Sequence, residues 1–398
     1  MRHDDQPFRV LLYSHDSVGL GHIRRNLALA HALVADSQAF GGRPVTGILL
    51  TGVGHEAELD VPAGFDVVLL PGICKGTLGY RPRHVRVPMD DLIGIRERVA
   101  QGVVHGLTPD LIVVDRHPFG VDGELRDALL QTRRARPGTT IVLGLREVLD
   151  GPETAALEWA ALGDLTRVTE IFDEIWVYGD PAVHDVRSTG ELPAELHGLV
   201  RHTGYLAADR HWLPEAQPTE QPYVLTMVGG GSDGHALAHA AARATVPHGH
   251  HHLVVAGPQM PARDLADIRA VAAAGTTVIA SVPDGLATIR RASAIVSMAG
   301  YNTVCEVMST TTPALLVPRH APRLEQLIRA RALAAVRAVD VLDPGDLTPA
   351  RLTEWIAGAV SRTQDRTAVD LAGLAGVARR VDALTIAATH EEPTRVAV

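Results

Sequence analysis

The chain of 398 residues is poor in cysteine: Cys74 and Cys305 lie far apart and outside any metal-type spacing. That argues against a disulfide framework and for a reducing compartment, the cytoplasm. No segment reaches the roughly 18 consecutive apolar residues that a membrane-spanning helix needs. Shallow contact with a membrane surface stays open. The opening residues, MRHDDQPFRVLLYS, hold an apolar run only one strand long, too short for a signal peptide. Basic runs are missing too. With 37 Lys+Arg against 46 Asp+Glu and a net charge of -9, the chain lacks a phosphate-neutralising surface, which speaks against a nucleic-acid partner. Short-period repeats, low-complexity tracts and Asp-x-Asp pairs are also lacking.

What remains is globular: 46% hydrophobic and 21% charged residues, in a chain long enough for two or three domains at about 150 residues each. Short β-branched apolar runs alternate with helical stretches almost throughout. In the first half the predicted strands are 9–14, 45–50, 65–70, 110–114, 140–145 and 174–178, and the amphipathic stretches are 23–35, 90–105, 122–134 and 154–170. Several strands are apolar on both faces, as strands covered by helices on both sides must be. The pattern lapses over the proline-bearing stretch 180–222. It then resumes with strands at 223–228, 252–256, 276–280, 293–297 and 314–317 and helices at 235–245, 263–273, 303–308 and 324–335. These features predict an α/β chain of two tandem Rossmann-like, doubly wound units facing a cleft. The expected front unit spans 1–204 and the rear unit 205–367, with a terminal helix near 368–389 that can pack back on the front. Histidines 248 and 250–252 fall between a helix and a strand and read as a solvated turn rather than a metal site.

Ligands of such sheets bind beyond strand carboxyl ends, so the loops just after strands carry the chemistry. SHDSVGLGHIRRN follows the first strand. Its Gly19-x-Gly21 lacks the third glycine of a dinucleotide fingerprint, but His22 sits where an imidazole can take a proton at neutral pH. The plainer alternative is a histidine that merely caps the helix. His15 and Asp16 share this loop. In VVDRHPFG, Asp115 can hold one imidazole nitrogen of His22 and leave the other free as base. A turn or capping aspartate fits that position equally well, and His117 competes as base.

In the second half, MVGGGSDGHAL places Gly229, Gly230, Gly231 and Ser232 at a strand-to-helix turn whose unpaired amides can receive phosphate oxygens. SMAGYNTVCEVM does the same more strongly. Gly300 permits close approach, Asn302 and Thr303 offer donors at the positive helix end, and Glu306 lies one turn further on, where a carboxylate can accept bonds from ribose hydroxyls. Glu325 and Gln326, in VPRHAPRLEQ, form an acid–amide pair suited to sugar hydroxyls. Acceptor contacts are expected from Arg24, Arg25, Lys75 and Arg146 of the first half, with the insert 74–89 as an acceptor-side lid. Each of those charges is also explicable as a solvated or inter-element group.

The order of a Gly-rich loop, GGGSDG, SMAGYNTVCEV and VPRHAPRLEQ resembles glycosyltransferases of the GT-B fold. It is most similar to the family of the bacterial enzyme that adds N-acetylglucosamine to undecaprenyl-linked muramyl peptide, in a branch marked by GLGHxRR and GYNTxxE. The resemblance covers nearly the whole chain. It implies that the rear unit binds a nucleoside-diphosphate sugar (a UDP- or dTDP-sugar) and the front unit a small-molecule, natural-product or lipid-linked acceptor. It further implies that Glu306 contacts the ribose and that Glu325 and Gln326 contact the donor sugar, while Gly300, Asn302 and Thr303 hold the diphosphate. His22 is then the base, oriented by Asp115, in an inverting transfer that needs no metal and no cofactor. One departure matters: the cell-wall enzyme's loop reads GGTGGH where this chain reads SVGLGH, so its acceptor does not carry over. A nucleotide-sugar epimerase of the same architecture and a catalytically silent nucleotide-sugar-binding subunit are the rival readings.

Overall fold

The computed structural model describes residues 6–15, 20–36, 40, 42–53, 59–76, 79–213 and 221–390, with backbone alone for 75–76 and 386–390. The front sheet is built from β1 (Phe8–Ser14), β2 (Val45–Thr51), β3 (Phe65–Leu69), β6 (Leu111–Asp115), β7 (Thr140–Arg146), β8 (Glu174–Tyr178) and β9 (Val200–His202). All seven strands are parallel, in the order β3-β2-β1-β6-β7-β8-β9. Residues Ile73–Gly76 (β4) and Gly79–Pro82 (β5) form a separate antiparallel hairpin inside the stretch expected to be a lid. The covering helices are α1 (Gly21–Ala35), α2 (Met89–Leu107), α3 (Arg126–Ala135), α4 (Pro152–Ala160) and α5 (Thr166–Ile171).

The rear sheet holds β10 (Tyr223–Met227), β11 (His251–Val255), β12 (Thr276–Ile279), β13 (Ala294–Ser297), β14 (Ala314–Leu316) and β15 (Asp340–Val341). These too are parallel, ordered β12-β11-β10-β13-β14-β15. Its helices are α6 (His235–Ala242), α7 (Ala262–Ala270), α8 (Gly285–Arg291), α9 (Tyr301–Met308), α10 (Glu325–Ala335) and α11 (Pro349–Ala359). The last helix, α12 (Gly373–His390), lies against α1 and places Arg380 on Glu174 of the front sheet. No described helix is long and apolar enough to cross a membrane.

The structure departs from the sequence expectation in four places. The amphipathic stretch 154–170 is two helices, α4 and α5, because Gly163 takes φ +77 between them. Strand β9 joins the front sheet within the proline-bearing passage. The helix after β10 begins at His235, as expected, but beyond α10 the chain adds β15 and α11, which were not expected. His252 is no turn residue: it lies in β11, fully buried, with Nε2 and Thr226 Oγ1 2.9 Å apart.

Sequential winding reverses between β1 and β6 in front and between β10 and β13 behind. The loops at such switch points leave an open crevice between them, because their helices cover opposite faces of the sheet. One apolar cluster joins the two sheets, running from Leu12 and Ile23 through Tyr205 and Tyr301 to Leu225. Tyr301, the first residue of α9, is buried and donates its hydroxyl proton to the carbonyl of Tyr178 at 2.8 Å. Thus both crevices open toward the same space.

Candidate active site

That space is a cavity of about 240 Å³ with walls from both units. Of the residues expected to act, His22, Arg24, Arg25 and Arg146 line it from the front. Gly230, Gly300, Asn302, Thr303, Glu325 and Gln326 line it from the rear. The two crevices have become one site.

On the front wall His22 sits in the first turn of α1. Its Nδ1 is hydrogen-bonded to Asp115 Oδ2, at the carboxyl end of β6. This pairing fixes the tautomer: the proton on Nδ1 faces the carboxylate, and Nε2 keeps its lone pair. Asp115 is itself buried. Burial pushes its carboxyl up, but the charges of Arg25 and His22 outweigh that and hold it well below the usual carboxylate range.

Arg25, expected as an acceptor contact, has its guanidinium committed to protein. It lies three residues after His22, on the inward face of α1, and its Nε donates to Asp115 Oδ1 at 2.9 Å. Its Nη2 reaches both carboxylate oxygens at 2.6 Å. Arg24, 100° further round an ideal helix, is exposed and keeps its place on the cavity rim. Around the dyad stand His15 and His117, with ring centroids 4.4 Å (His15 to His22) and 4.9 Å (His15 to His117) apart. Burial, then Arg116 and His22, pushes the His117 imidazole down to about 3. An imidazole so hard to protonate is a poor proton acceptor at neutral pH.

The rear wall is built on the amino end of α9. Gly300 precedes it with an ordinary φ of -66, and among the described residues, its two chain neighbours aside, no atom lies within 4 Å of where its Cβ would be. Neither backbone nor neighbours require glycine there; the open side is the cavity. Asn302 corrects another expectation. Its side chain is committed to protein, Nδ2 donating to Gly21 O at 2.8 Å and Oδ1 accepting from Arg210 at 3.2 Å, so only its backbone remains for a ligand. Glu306 sits one turn deeper, buried, with Oε1 3.9 Å from Arg210, and is not part of the cavity wall. Gly231 and Ser232 also lie off the wall. Gly231 takes φ +94, and a Cβ there would stand 2.4 Å from the carbonyl oxygen of Ala256, so its glycine serves the turn itself. Gln326 accepts from the amide of Ala299 at 3.2 Å through Oε1, which leaves its NH₂ to donate. Glu325 accepts from Arg319 at 2.5 Å through Oε1, while its Oε2 is buried without a hydrogen-bond partner among the described residues.

Residues 227–375 match the Glycosyltransferase family 28 C-terminal domain, a span that holds every residue expected to bind the donor. The chain is a glycosyltransferase of the GT-B fold. It is 23% identical over 317 residues to an uncharacterized glycosyltransferase of Methanosarcina mazei, covering 75% of this chain and 77% of that protein. Among solved structures it is similar to the glycosyltransferase VinC in complex with dTDP (14% identity, 96% of each chain, TM-score 0.56). It is likewise similar to MurG of Acinetobacter baumannii (16% identity, 96% of this chain and 100% of that one, TM-score 0.52).

Several residues of this glycosyltransferase's cavity escaped the sequence reading. Pro258 and Gln259 reach it from the loop after β11, and Arg319 from the loop after β14. Tyr301 was hidden inside the GYNT motif as an apparent spacer. The one usable signal was Arg319, which stands in the same VPRHAPRLEQ run as Glu325 and carries the charge that neutralises it. Asp16, Gly19 and the Lys75 side chain lie outside the described residues.

Proposed function

We propose that this glycosyltransferase moves a sugar from a UDP- or dTDP-sugar to a hydroxyl of a small-molecule, natural-product or lipid-linked acceptor, in one inverting displacement without a metal ion. The observation that carries the proposal is the shared cavity: His22, with Nδ1 held by Asp115, lies across from the amino end of α9. In this reading the donor diphosphate sits on the amides of α9 and of the Gly229–Gly230 turn, where helix-end N–H groups favour negative charge. Gly300 leaves room for it. The ribose reaches past the cavity wall toward Glu306, and Glu325 Oε2 with the Gln326 amide takes hydroxyls of the transferred sugar.

The acceptor hydroxyl gives its proton to His22 Nε2 as its oxygen attacks the anomeric carbon. The bond from that carbon to the diphosphate oxygen breaks on the far side, and the nucleoside diphosphate leaves with the electron pair. Attack opposite the leaving group inverts the anomeric centre. The amide dipoles that receive the leaving group stabilise charge as it develops, which is the work a metal ion does elsewhere.

The test begins with binding. UDP or dTDP is expected to raise the melting temperature of the protein, and the rise should survive His22→Ala. A mass-spectrometric acceptor search with the stabilising donor should then yield a product of inverted anomeric configuration that His22→Ala no longer makes. Failure of both nucleotides to stabilise the fold would sink the donor assignment. Conversion of the donor alone into an isomer would point to an epimerase instead.

A further inference from the structure

Besides Arg24 on the exposed rim, a charge inside the cavity is left unused by this chemistry. Arg146 ends β7, lines the front wall beside Arg25, and is surrounded by arginines whose charges are met. Arg25 is bound to Asp115, Arg329 to Glu147, Arg116 to Glu158, and Arg319 to Glu325 and Asp233. Arg146 is different. Its Nε is buried without a hydrogen-bond partner, and no ion pair among the described residues reaches its guanidinium.

Arg146 is half-buried at the cavity, and a cation partly withdrawn from water with no ion-pair partner costs folding free energy unless something completes it. The surroundings make the deficit sharper: burial, then Arg329, Arg25 and Arg116, push the Arg146 guanidinium down to about 9, opposed in part by Glu325. The opposite wall has a matching loose end, the buried and unpartnered Oε2 of Glu325. One unmet cation from the front unit and one unmet carboxylate oxygen from the rear unit therefore flank the place where sugar and acceptor would meet. The α9 amides that the proposed mechanism assigns to the diphosphate lie on the rear wall, so the diphosphate does not account for Arg146.

We infer that Arg146 receives a carboxylate or phosphate oxyanion of the substrate that is separate from the donor diphosphate, at the junction of the transferred sugar and the acceptor. A guanidinium suits that task because its planar fork meets two oxygens at once. The oxyanion has two sources, an acid group on the acceptor or a carboxylate on the transferred sugar. The inference rests on the nucleotide-sugar reading, and the experiment separates the two.

UDP, UDP-glucose and UDP-glucuronic acid are titrated into the wild type, Arg146→Gln and Arg146→Lys. Acetate and methyl phosphate are then titrated into each protein saturated with UDP, with dTDP replacing UDP if only dTDP binds. UDP should bind wild type and Arg146→Gln within about twofold of each other, since a hydrogen-bonded charge contact typically weighs about tenfold or more. A sugar source is shown if UDP-glucuronic acid binds the wild type about tenfold tighter than UDP-glucose and Arg146→Gln erases the difference. An acceptor source is shown if acetate or methyl phosphate stabilises the UDP-saturated wild type but not Arg146→Gln. In either case Arg146→Lys should restore only part of the effect, and Arg146→Gln without ligand should melt no lower than the wild type. A fall of about tenfold or more in the affinity for UDP itself would assign Arg146 to the diphosphate and overturn the inference. So would anion responses that are the same in wild type and Arg146→Gln. If neither UDP nor dTDP binds the wild type, the nucleotide-sugar reading fails before any variant is compared.

Discussion

Arg25 holds both oxygens of Asp115, and Asp115 Oδ2 in turn holds Nδ1 of His22. The three residues come from only two places, the first turn of α1 and the end of β6. The helix supplies both the proposed base and the cation that anchors the base's own partner. Asp115 therefore cannot swing away from His22 without leaving a buried guanidinium unpaired.

This arrangement predicts two different phenotypes. His22→Ala should lower the transfer rate by about 10²–10⁴-fold, the usual weight of a general base, with little change in stability, because the residue is partly exposed. Asp115→Ala should lower transfer and also cost about 3–5 kcal/mol of folding stability, because Arg25 would be left buried and uncompensated. Urea denaturation beside a single-turnover assay separates the two. Equal stability losses in both variants would contradict the arrangement.

A second buried pair ties the front and rear units together. Glu147 and Arg329 are both fully buried, with contacts of 2.6 and 3.0 Å, and Arg329 also donates to the Ala299 carbonyl at 2.9 Å. Glu147→Gln should destabilise the protein by about 3–5 kcal/mol, since it strands the Arg329 charge. Glu147→Leu combined with Arg329→Met should recover much of that loss, because an apolar pair of similar volume carries no desolvation penalty. The check is a double-mutant cycle in urea: additive losses would mean the pair does not act as a unit.

Acid should weaken the fold through His252. Burial, then the neighbouring His251, pushes its imidazole down to about 4, whereas in the unfolded chain it titrates near ~6.5. The folded-state value is the lower one, so the stabilisation is whole above pH ~6.5 and is lost as pH falls toward the folded-state value. By pH ~4.5 this amounts to about 2 kcal/mol. His252→Gln, which can still bond Thr226, should reduce by about that amount the stability lost between pH 7.5 and 4.5. Parallel pH profiles for wild type and variant would refute it.

How much of this was legible before folding depends on the range of the interaction. The strands were legible because runs such as Leu111–Asp115 and Glu174–Tyr178 are buried along their whole length, and their apolar character needs no partner to be recognised. Strands β9 and β15 were not, being edge strands of three and two residues with mixed polarity. The glycine-bearing turns announced themselves because the backbone requirement is local. The fate of Arg24 and Arg25 did not: adjacent in sequence, they differ only in which side of α1 faces Asp115, some 90 residues away. Asn302 was misread for the same reason, since its side-chain partners Gly21 and Arg210 belong to distant segments.

Two glycines give the most direct test of where the donor lies. At Gly300 the backbone is ordinary and the Cβ position is open, so Gly300→Ala should leave stability unchanged or slightly raised, by at most about 1 kcal/mol. If the diphosphate lies against α9, the added methyl group occupies its space and nucleotide affinity should fall by about tenfold or more, about 1.4 kcal/mol or above. Gly231→Ala is the contrasting case. Its φ of +94 and the 2.4 Å approach to the Ala256 carbonyl predict a loss of stability of about 1–3 kcal/mol. Because Gly231 lies off the cavity wall, any loss of nucleotide affinity there should follow the loss of folded protein. Calorimetric titration of both variants at a temperature where each is folded decides the matter. Full nucleotide affinity in Gly300→Ala would move the donor away from the amino end of α9.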